Sequence, residues 1–366
     1  MSRIDDSIAE YCPDGVEYKR LGDVCKIKNG KDYKHLSAGD IPVYGSGGVM
    51  DVRVDTSVYD RPTVLLPRKG SIANVFYVDG PFWNVDTIFY TVIDEEQVIP
   101  RYLYHVMMNV HIENYSTGSA ARPSLTQSAL NKIEIPVPSL EIQSEIVRIL
   151  DSFSSLEAEL EAELEARRKQ YAYYRDQLIR DCPSVRWIPL SEISENCDKS
   201  RKPIKKEKRI AGKTPYYGAS GVVDHVDGFT HEGDYLLLSE DGANLLARSM
   251  PIAYQISGRN WINNHAHVLR IENANLRQLV EMYLNSISLE PYITKGAQPK
   301  LTKQRMETIV VPVPSEDDLS RIVEMLTKFY ALTTSLTDGL PAEIEARRKQ
   351  YEYYRDRLLS FDELAV

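Results

Sequence analysis

ELEARRKQYAYYRDQL at residues 163–178 and EIEARRKQYEYYRDRL at residues 343–358 agree at 13 of 16 positions across a separation of 180 residues. Chance does not supply such a match, so the chain is read first as a duplication. Other pairs follow in the same order. Ile41-Pro42-Val43-Tyr44-Gly45-Ser46-Gly47-Gly48-Val49 answers to Thr214-Pro215-Tyr216-Tyr217-Gly218-Ala219-Ser220-Gly221-Val222, and Pro136-Val137-Pro138-Ser139 answers to Pro312-Val313-Pro314-Ser315. Weaker echoes join Cys12-Pro13 to Cys182-Pro183, Phe82-Trp83-Asn84 to Asn260-Trp261-Ile262, and Pro123-Ser124-Leu125-Thr126 to Pro299-Lys300-Leu301-Thr302.

Each copy is a globular part followed by a helical part. Residues 1–138 and 181–314 hold the glycines, most prolines and short apolar runs such as Thr63-Val64-Leu65-Leu66 and Tyr235-Leu236-Leu237-Leu238, which read as strands between turns. Residues 139–180 and 315–366 carry a helical period and little glycine. Proline ends the strand at each Pro-Val-Pro-Ser joint, and Ser139 or Ser315 is placed to cap the helix that follows.

Apolar or long residues of the first helix recur at Ile142, Ile146, Ile149, Phe153, Leu156, Leu160, Leu164, Arg167, Tyr171, Tyr174 and Leu178, mostly in alternating steps of four and three. That is a coiled-coil seam with a stutter. The second helix repeats it from Ile322 to Leu358 with one more step of four, and Gly339 with Pro341 should kink or interrupt it. A helix over 139–180 would measure about 63 Å at roughly 1.5 Å per residue, too long for either globular part to bury. The expected fold is therefore α+β: two loop-rich mixed-sheet domains and two long helices forming an antiparallel coiled coil, with a pseudo-two-fold internal repeat.

Charge narrows the function. The chain has 366 residues, 44 Lys+Arg against 53 Asp+Glu and a net charge of −9, so a chain-wide basic attraction to nucleic acid or membranes is excluded. By segment the charges are −4, −3, +2 and −4, and the second globular part concentrates Lys199, Arg201, Lys202, Lys205, Lys206, Lys208, Arg209 and Lys213 against Glu207 alone. That run reads either as a solvated loop or as an arm tracking phosphates. Cys12, Cys25, Cys182 and Cys197 form no CxxC pair and read as reduced thiols of a cytosolic protein. The acidic N-terminus is unlike a signal peptide, and no apolar run approaches the roughly 18 residues that would span a bilayer.

No P-loop, H-E-x-x-H or G-x-S-x-G motif occurs, nor an Asn-Pro-Pro-Phe/Tyr or Asp-Pro-Pro-Tyr segment to hold a flipped adenine, so no catalytic residue is assigned. His265 and His267 share a strand face, but no ligand joins them at useful spacing and no metal site is assigned. Loop residues at duplicated positions are the DNA-binding candidates. In the first copy they are Lys31, Tyr44, Ser46, Arg68, Lys69, Ser71 and Arg122; in the second, Lys213, Tyr217, Ser220, Glu240, Asn244, Gln298 and Lys300. Where the first copy has Pro67-Arg68-Lys69-Gly70 the second has Ser239-Glu240-Asp241-Gly242, so the loop changes sign on a shared frame. Arginine favours guanine edges and an acid accepts from cytosine N4, so two such frames would read different sequences.

These residues resemble the DNA specificity subunit of type I restriction-modification systems over essentially the whole chain. The resemblance implies a non-catalytic subunit whose two target-recognition domains each read half of a bipartite double-stranded DNA site, with the helix pair setting the gap. It implies docking to two methylation subunits, for which Arg168, Tyr173, Arg348 and Tyr353 are the candidate contacts. No cofactor is expected on this chain itself. S-adenosylmethionine belongs to the methylation subunits, and ATP and Mg to a nuclease-translocase, the restriction subunit, where one is present. The competing reading is a coiled-coil protein scaffold that never touches DNA.

Overall fold

The duplication dictates two similar cores. The computed structural model describes residues 15–117, 123–294, 296, 298–335 and 337–364. Its contacts gather into one unit of residues 1–162 with 342–366 and a second of residues 163–341. The fold is α+β with an internal repeat, as the sequence predicts.

In the first unit, β1 (Tyr18–Arg20) pairs with β9 (Glu134–Pro136), while β2 (Cys25–Asn29), β5 (Thr63–Pro67), β6 (Phe76–Val78) and β8 (Ile88–Ile93) form an antiparallel sheet in the order β2-β8-β5-β6. A smaller sheet of β3 (Ala38–Gly45), β4 (Gly48–Val54) and β7 (Trp83–Asn84) has the order β4-β3-β7. All five residues of β5 are buried because the strand is covered on both sides. Val64 and Leu66 join the core of Tyr102, Leu103 and Val106 from α1 (Pro100–Asn109), and Leu65 joins Tyr44, Phe82 and Ile88 beneath the small sheet. Each such leucine contributes about 1.5–3 kcal/mol. Cys25 sits in the first core, where burial pushes its thiol up to about 12.

The second unit repeats this plan. β10 (Arg186–Pro189) pairs with β19 (Val310–Val313). The larger sheet runs β11-β18-β15-β16, from Glu195–Asn196, Ala266–Arg270, Tyr235–Ser239 and Ala253–Ile256. The smaller sheet runs β13-β12-β17-β14, from Gly221–Val226, Ala211–Gly218, Arg259–Ile262 and His231–Glu232. Helix α3 (Ala274–Leu284) covers the core as α1 does, and the Asn273 side chain caps its Leu276 amide at 3.0 Å.

The long helices are α2 (Leu140–Arg180), α4 (Glu316–Thr334) and α5 (Leu340–Leu358). The interruption expected near Gly339 separates α4 from α5; a Cβ on Gly339 would stand 2.7 Å from the Ala331 carbonyl oxygen, so only glycine fits. Within the first unit α2 and α5 run antiparallel: Arg348 meets Glu157 and Glu161, Phe153 stacks on Tyr354 at 5.4 Å, and Ile146 and Leu150 share a core with Leu358 and Leu359. Within the second unit α2 runs antiparallel to α4, with Tyr171 on Tyr330, Tyr174 on Phe329, and Ile179 among Leu319, Ile322 and Val323.

The Ser139 hydroxyl accepts from the Ile142 amide at 3.5 Å, a long form of the cap expected there, but the second joint differs from expectation. The Ser315 hydroxyl makes no backbone cap because it donates to the Asp318 carboxylate at 3.2 Å, which also accepts from Ser184 Oγ at 2.6 Å. At the first joint Gln143, fully buried, accepts from the Ile99 amide and donates to the Gln97 and Pro138 carbonyls, all at 2.8 Å. One further seam closes the first unit: Val16 N–H donates to Asp362 O at 2.9 Å, Leu364 N–H to Val16 O at 3.0 Å, and Tyr18 OH to Phe361 O at 3.0 Å. Among the described residues, no helix is long and apolar enough to cross a membrane.

Candidate nucleic-acid interface

Three loops converge in the first unit. The hairpin turn between β3 and β4 is tied to the β7–β8 loop, where the Ser46 amide donates to Thr87 Oγ1 at 3.1 Å, and to the loop after β5 through Asn74 Nδ2 and the Ser46 carbonyl at 3.2 Å. Gly70 (φ +87°) lets that loop pass close, since a Cβ there would lie 2.8 Å from Ser46 Oγ. The Arg68 amide donates to Thr87 O at 2.9 Å and its carbonyl accepts from Leu125 at 2.7 Å, which brings in the third loop; Thr117 and Ser124, flanking that loop, are bonded at 2.9 Å. Arg122, with Gly118–Ala121, lies outside the described residues. Tyr44, Ser46, Arg68, Lys69 and Ser71 are thus brought together. Lys31 stands on a neighbouring edge, its carbonyl accepting from Trp83 Nε1 at 2.9 Å.

The second unit builds the same cluster with other side chains. Glu240 N–H donates to His265 O at 2.9 Å, Leu301 N–H to Glu240 O at 2.7 Å, and Thr294 N–H to Lys300 O at 2.8 Å, matching Arg68, Leu125 and Thr117. The hairpin turn at Ala219 and Ser220 is fastened by the Ser239 hydroxyl on the Ala219 carbonyl and by Tyr254, whose hydroxyl donates to Gly218 O at 2.8 Å and accepts from Gly221 N–H at 3.1 Å.

The candidates divide by whether their polar atoms are already used. Lys31, Ser71, Lys213, Ser220 and Gln298 are exposed; Ser46 and Arg68 are half-buried, with the Arg68 guanidinium donating to the Asp86 carbonyl at 3.3 Å and lying 5.9 Å from the Phe89 ring centre. Tyr44 and Tyr217 are half-buried supports of their hairpins, packed on Phe82 and Tyr254. Lys69 is paired with Asp86 at 2.7 Å, whose carboxyl that bond holds below its ordinary value. Asn244 closes its own loop, donating to Met250 O and accepting from Met250 N–H, both at 3.0 Å.

Glu240 departs most from the reading of an exposed acidic loop. It is 8% exposed, with Oε1 held by Lys300 at 2.9 Å and Oε2 by Arg201 at 2.5 Å. Asp241 pairs with His265 at 2.9 Å. The acid at Glu240 is therefore met by cations of the protein itself. Asp198, Glu240 and His267 bring ligand atoms within 4.8 Å of one another, a carboxylate-rich surrounding that the strand spacing did not reveal. Arg201 reaches both carboxylates, however, and the two His267 nitrogens face Asp198 Oδ2 at 2.7 Å and the Leu301 carbonyl at 2.8 Å. Burial alone would raise Asp198 and Glu240. The His267 hydrogen bond and charge outweigh it at Asp198, and the Arg201 and Lys300 bonds outweigh it at Glu240, so both end below their ordinary values.

Two buried histidines set a pH dependence. Burial lowers His105, against the opposing bond to Asp151 at 2.8 Å, and burial lowers His231 despite its bond to the Cys197 carbonyl at 3.1 Å. A histidine depressed in the folded state contributes stability that is complete above its unfolded value, about 6.5, and is lost as pH falls through the folded value. The melting temperature of the full chain should hold between about pH 8 and 7 and decline below about 6.5. His105→Asn with His231→Asn should flatten that decline; an unchanged profile in the double variant would refute the assignment.

Sequence reasoning missed two features. Lys202, absent from the candidates, is the structural counterpart of Lys31: its amide donates to Ile262 O at 3.0 Å and its carbonyl accepts from Trp261 Nε1 at 2.7 Å. The signal was the echo between Trp83 and Trp261. Val49 and Val222 stand one residue beyond each hairpin turn with 58% and 47% of their surface exposed, an apolar position that the aligned hairpins already contained. On the helices, Arg168, Tyr173, Arg348 and Tyr353 are all exposed, the tyrosines by 63% and 54%.

The family of type I restriction modification DNA specificity domains matches residues 13–166 and 186–346. A putative type I restriction enzyme specificity subunit of Haemophilus influenzae is 37% identical over 184 residues, 49% of this chain and 47% of the relative, so that alignment spans about half of its length. The EcoR124I/EcoR124II specificity subunit of Escherichia coli is 33% identical over 296 residues, 74% of this chain and 73% of the relative. The fold is shared with the S subunit of a type I restriction-modification system from M. genitalium, at a TM-score of 0.60 and 18% identity over 94% of this chain and 95% of that one.

Proposed function

Because the chain belongs to the family of type I restriction-modification DNA specificity subunits, we propose that each of its two loop clusters reads one half of a bipartite double-stranded DNA site. One observation carries the reading: the same three-loop frame is built twice, with Arg68 on one copy where the other has Glu240. A shared frame with different side chains is what reading two different short sequences requires. Lys31, Ser46, Arg68 and Ser71 would face the first half-site, and Lys202, Lys213, Ser220 and Gln298 the second. The hairpins suit a major groove, which admits a two-stranded ribbon, and Val49 and Val222 would meet thymine methyl groups there.

The recognition domains are residues 1–138 and 181–314, and the helical parts 139–180 and 315–366 set the gap between half-sites and dock two methylation subunits. The chain itself carries no catalysis. S-adenosylmethionine enters with the methylation subunits, and ATP with Mg enters with restriction subunits where these join. The complex works in the cytoplasm, where the DNA is.

Exchanging residues 1–138 for the first domain of another family member tests the reading. Sequencing of methylated adenines in cells carrying the hybrid should show one half of the target replaced and the other retained. A change in both halves, or in neither, refutes the modular assignment.

A further inference from the structure

The duplicated helical segment is partnered within the chain almost identically in its two copies. Glu163 holds Arg167 and Glu343 holds Arg347, at 2.9 and 3.5 Å; Glu165 holds Lys169 and Glu345 holds Lys349, at 2.6 and 3.3 Å. Gln170 and Gln350 accept from those same arginines. Arg175 and Arg355 each pair with the next aspartate at 2.7 Å and lie over Tyr171 and Tyr351 at 5.7 and 5.8 Å. Tyr173 and Tyr353 each set an edge against the following tyrosine, at 5.6 and 5.3 Å.

Two exposed positions break the match. Arg348 is gripped by Glu157 and Glu161, both at 2.5 Å, and the Tyr353 hydroxyl accepts from Arg357 at 2.7 Å. Among the described residues, Arg168 has no ion pair and the Tyr173 hydroxyl has no hydrogen bond. The residues 176 positions beyond Glu157 and Glu161 are Thr333 and Thr337, and Gln177 stands where the other copy has Arg357. The same motif therefore offers a free cation and a free tyrosine hydroxyl in one copy and an occupied pair in the other.

We propose that the two copies dock the same partner with unequal strength, the copy at Arg168 and Tyr173 filling first and the copy at Arg348 and Tyr353 second. The near-identity of the segments fits one kind of partner taken twice. An exposed arginine and, five residues on, an exposed tyrosine fit a partner surface that wraps part of the way round the helix, with a carboxylate opposite the guanidinium and a pocket for the ring. At Arg348 that carboxylate must compete with two glutamates already in place. The inference rests on the docking of methylation subunits proposed above and adds an order to it. Arg348 and its two glutamates are partly exposed, so the competition is modest and the expected gap in affinity is about 5- to 20-fold.

Titrating the full chain with purified methylation subunit, followed by native mass spectrometry and calorimetry at two salt concentrations, tests the order. Two steps should appear, separated by about 5- to 20-fold, the tighter being the more salt-sensitive. Arg168→Ala should weaken the tighter step alone, and Glu157→Gln with Glu161→Gln should tighten the looser step until the two nearly coincide. Because that glutamine pair predicts a gain, misfolding cannot imitate it. Equal steps in the unaltered chain, or a looser step indifferent to the glutamines, overturn the proposal while leaving docking intact. If Tyr173→Ala and Tyr353→Ala change neither step, docking at these segments fails and the order falls with it.

Discussion

Glu240→Ala is expected to destabilise the second unit by about 2–3 kcal/mol, because it strips a buried carboxylate from two cations and leaves Arg201 with Asp198 as its one counter-charge where it had two. Arg201 is anchored on the Ala266 carbonyl at 2.8 Å and on Asp198, so it cannot swing away to solvent. Lys300 can, since about half of its side chain is exposed, and Lys300→Ala should cost no more than about 1 kcal/mol. Equilibrium urea unfolding of the full chain, with hydrogen exchange at the Glu240 and Leu301 amides, separates the two. Equal losses for both variants would mean that Glu240 is not the centre of the cluster. The functional corollary is local: loosening residues 198–201, 240–242 and 300–301 should blur reading by the second domain and leave the first unchanged.

Gln143→Leu is the second large effect. The position begins α2 at the joint with the first domain, and the glutamine satisfies one backbone amide and two carbonyls that have little access to water. Leucine is apolar enough for the site, and Leu319 occupies the corresponding position of α4. It would nevertheless strand three polar groups, at about 1–3 kcal/mol for each that finds no new partner. Allowing for relaxation and for the apolar gain, a net loss of about 2–4 kcal/mol is expected in the first unit. Exchange at the Ile99 amide should accelerate with it. A neutral substitution with Ile99 still protected would show that the joint is held by packing alone.

The parts of this architecture legible in sequence are those carried by short-range pattern. The twin segments gave the duplication, and aligned Tyr-Gly turns located both hairpins, whose loops do converge. Gly339 marked the helix break because a close backbone approach leaves a local signature. What stayed hidden depends on distant neighbours. Glu240 looked like a loop acid because Arg201, 39 residues earlier, and Lys300, 60 residues later, carry no mark that they turn toward it. Leu150 and Ile179 fall off the four-three alternation of the seam because each belongs at once to the helix pair and to a globular core, Leu150 sharing a cluster with Leu358 and Tyr102 and Ile179 with Ile322 and Leu279. Lys202 was lost among seven neighbouring cations until the tryptophan contact singled it out.

The seam between residues 16–18 and 361–364 bears on how the protein comes off the ribosome. The second unit is drawn from one uninterrupted stretch, residues 163–341, and can assemble as soon as that stretch has emerged. The first begins earlier yet must wait, because Leu358, Leu359 and Phe361, which seal one side of its interior, follow the whole of the second unit in the chain. The nascent first unit therefore carries an open apolar side while the second is being made, and a chain stopped between residues 341 and 358 would have its second unit complete and its first not.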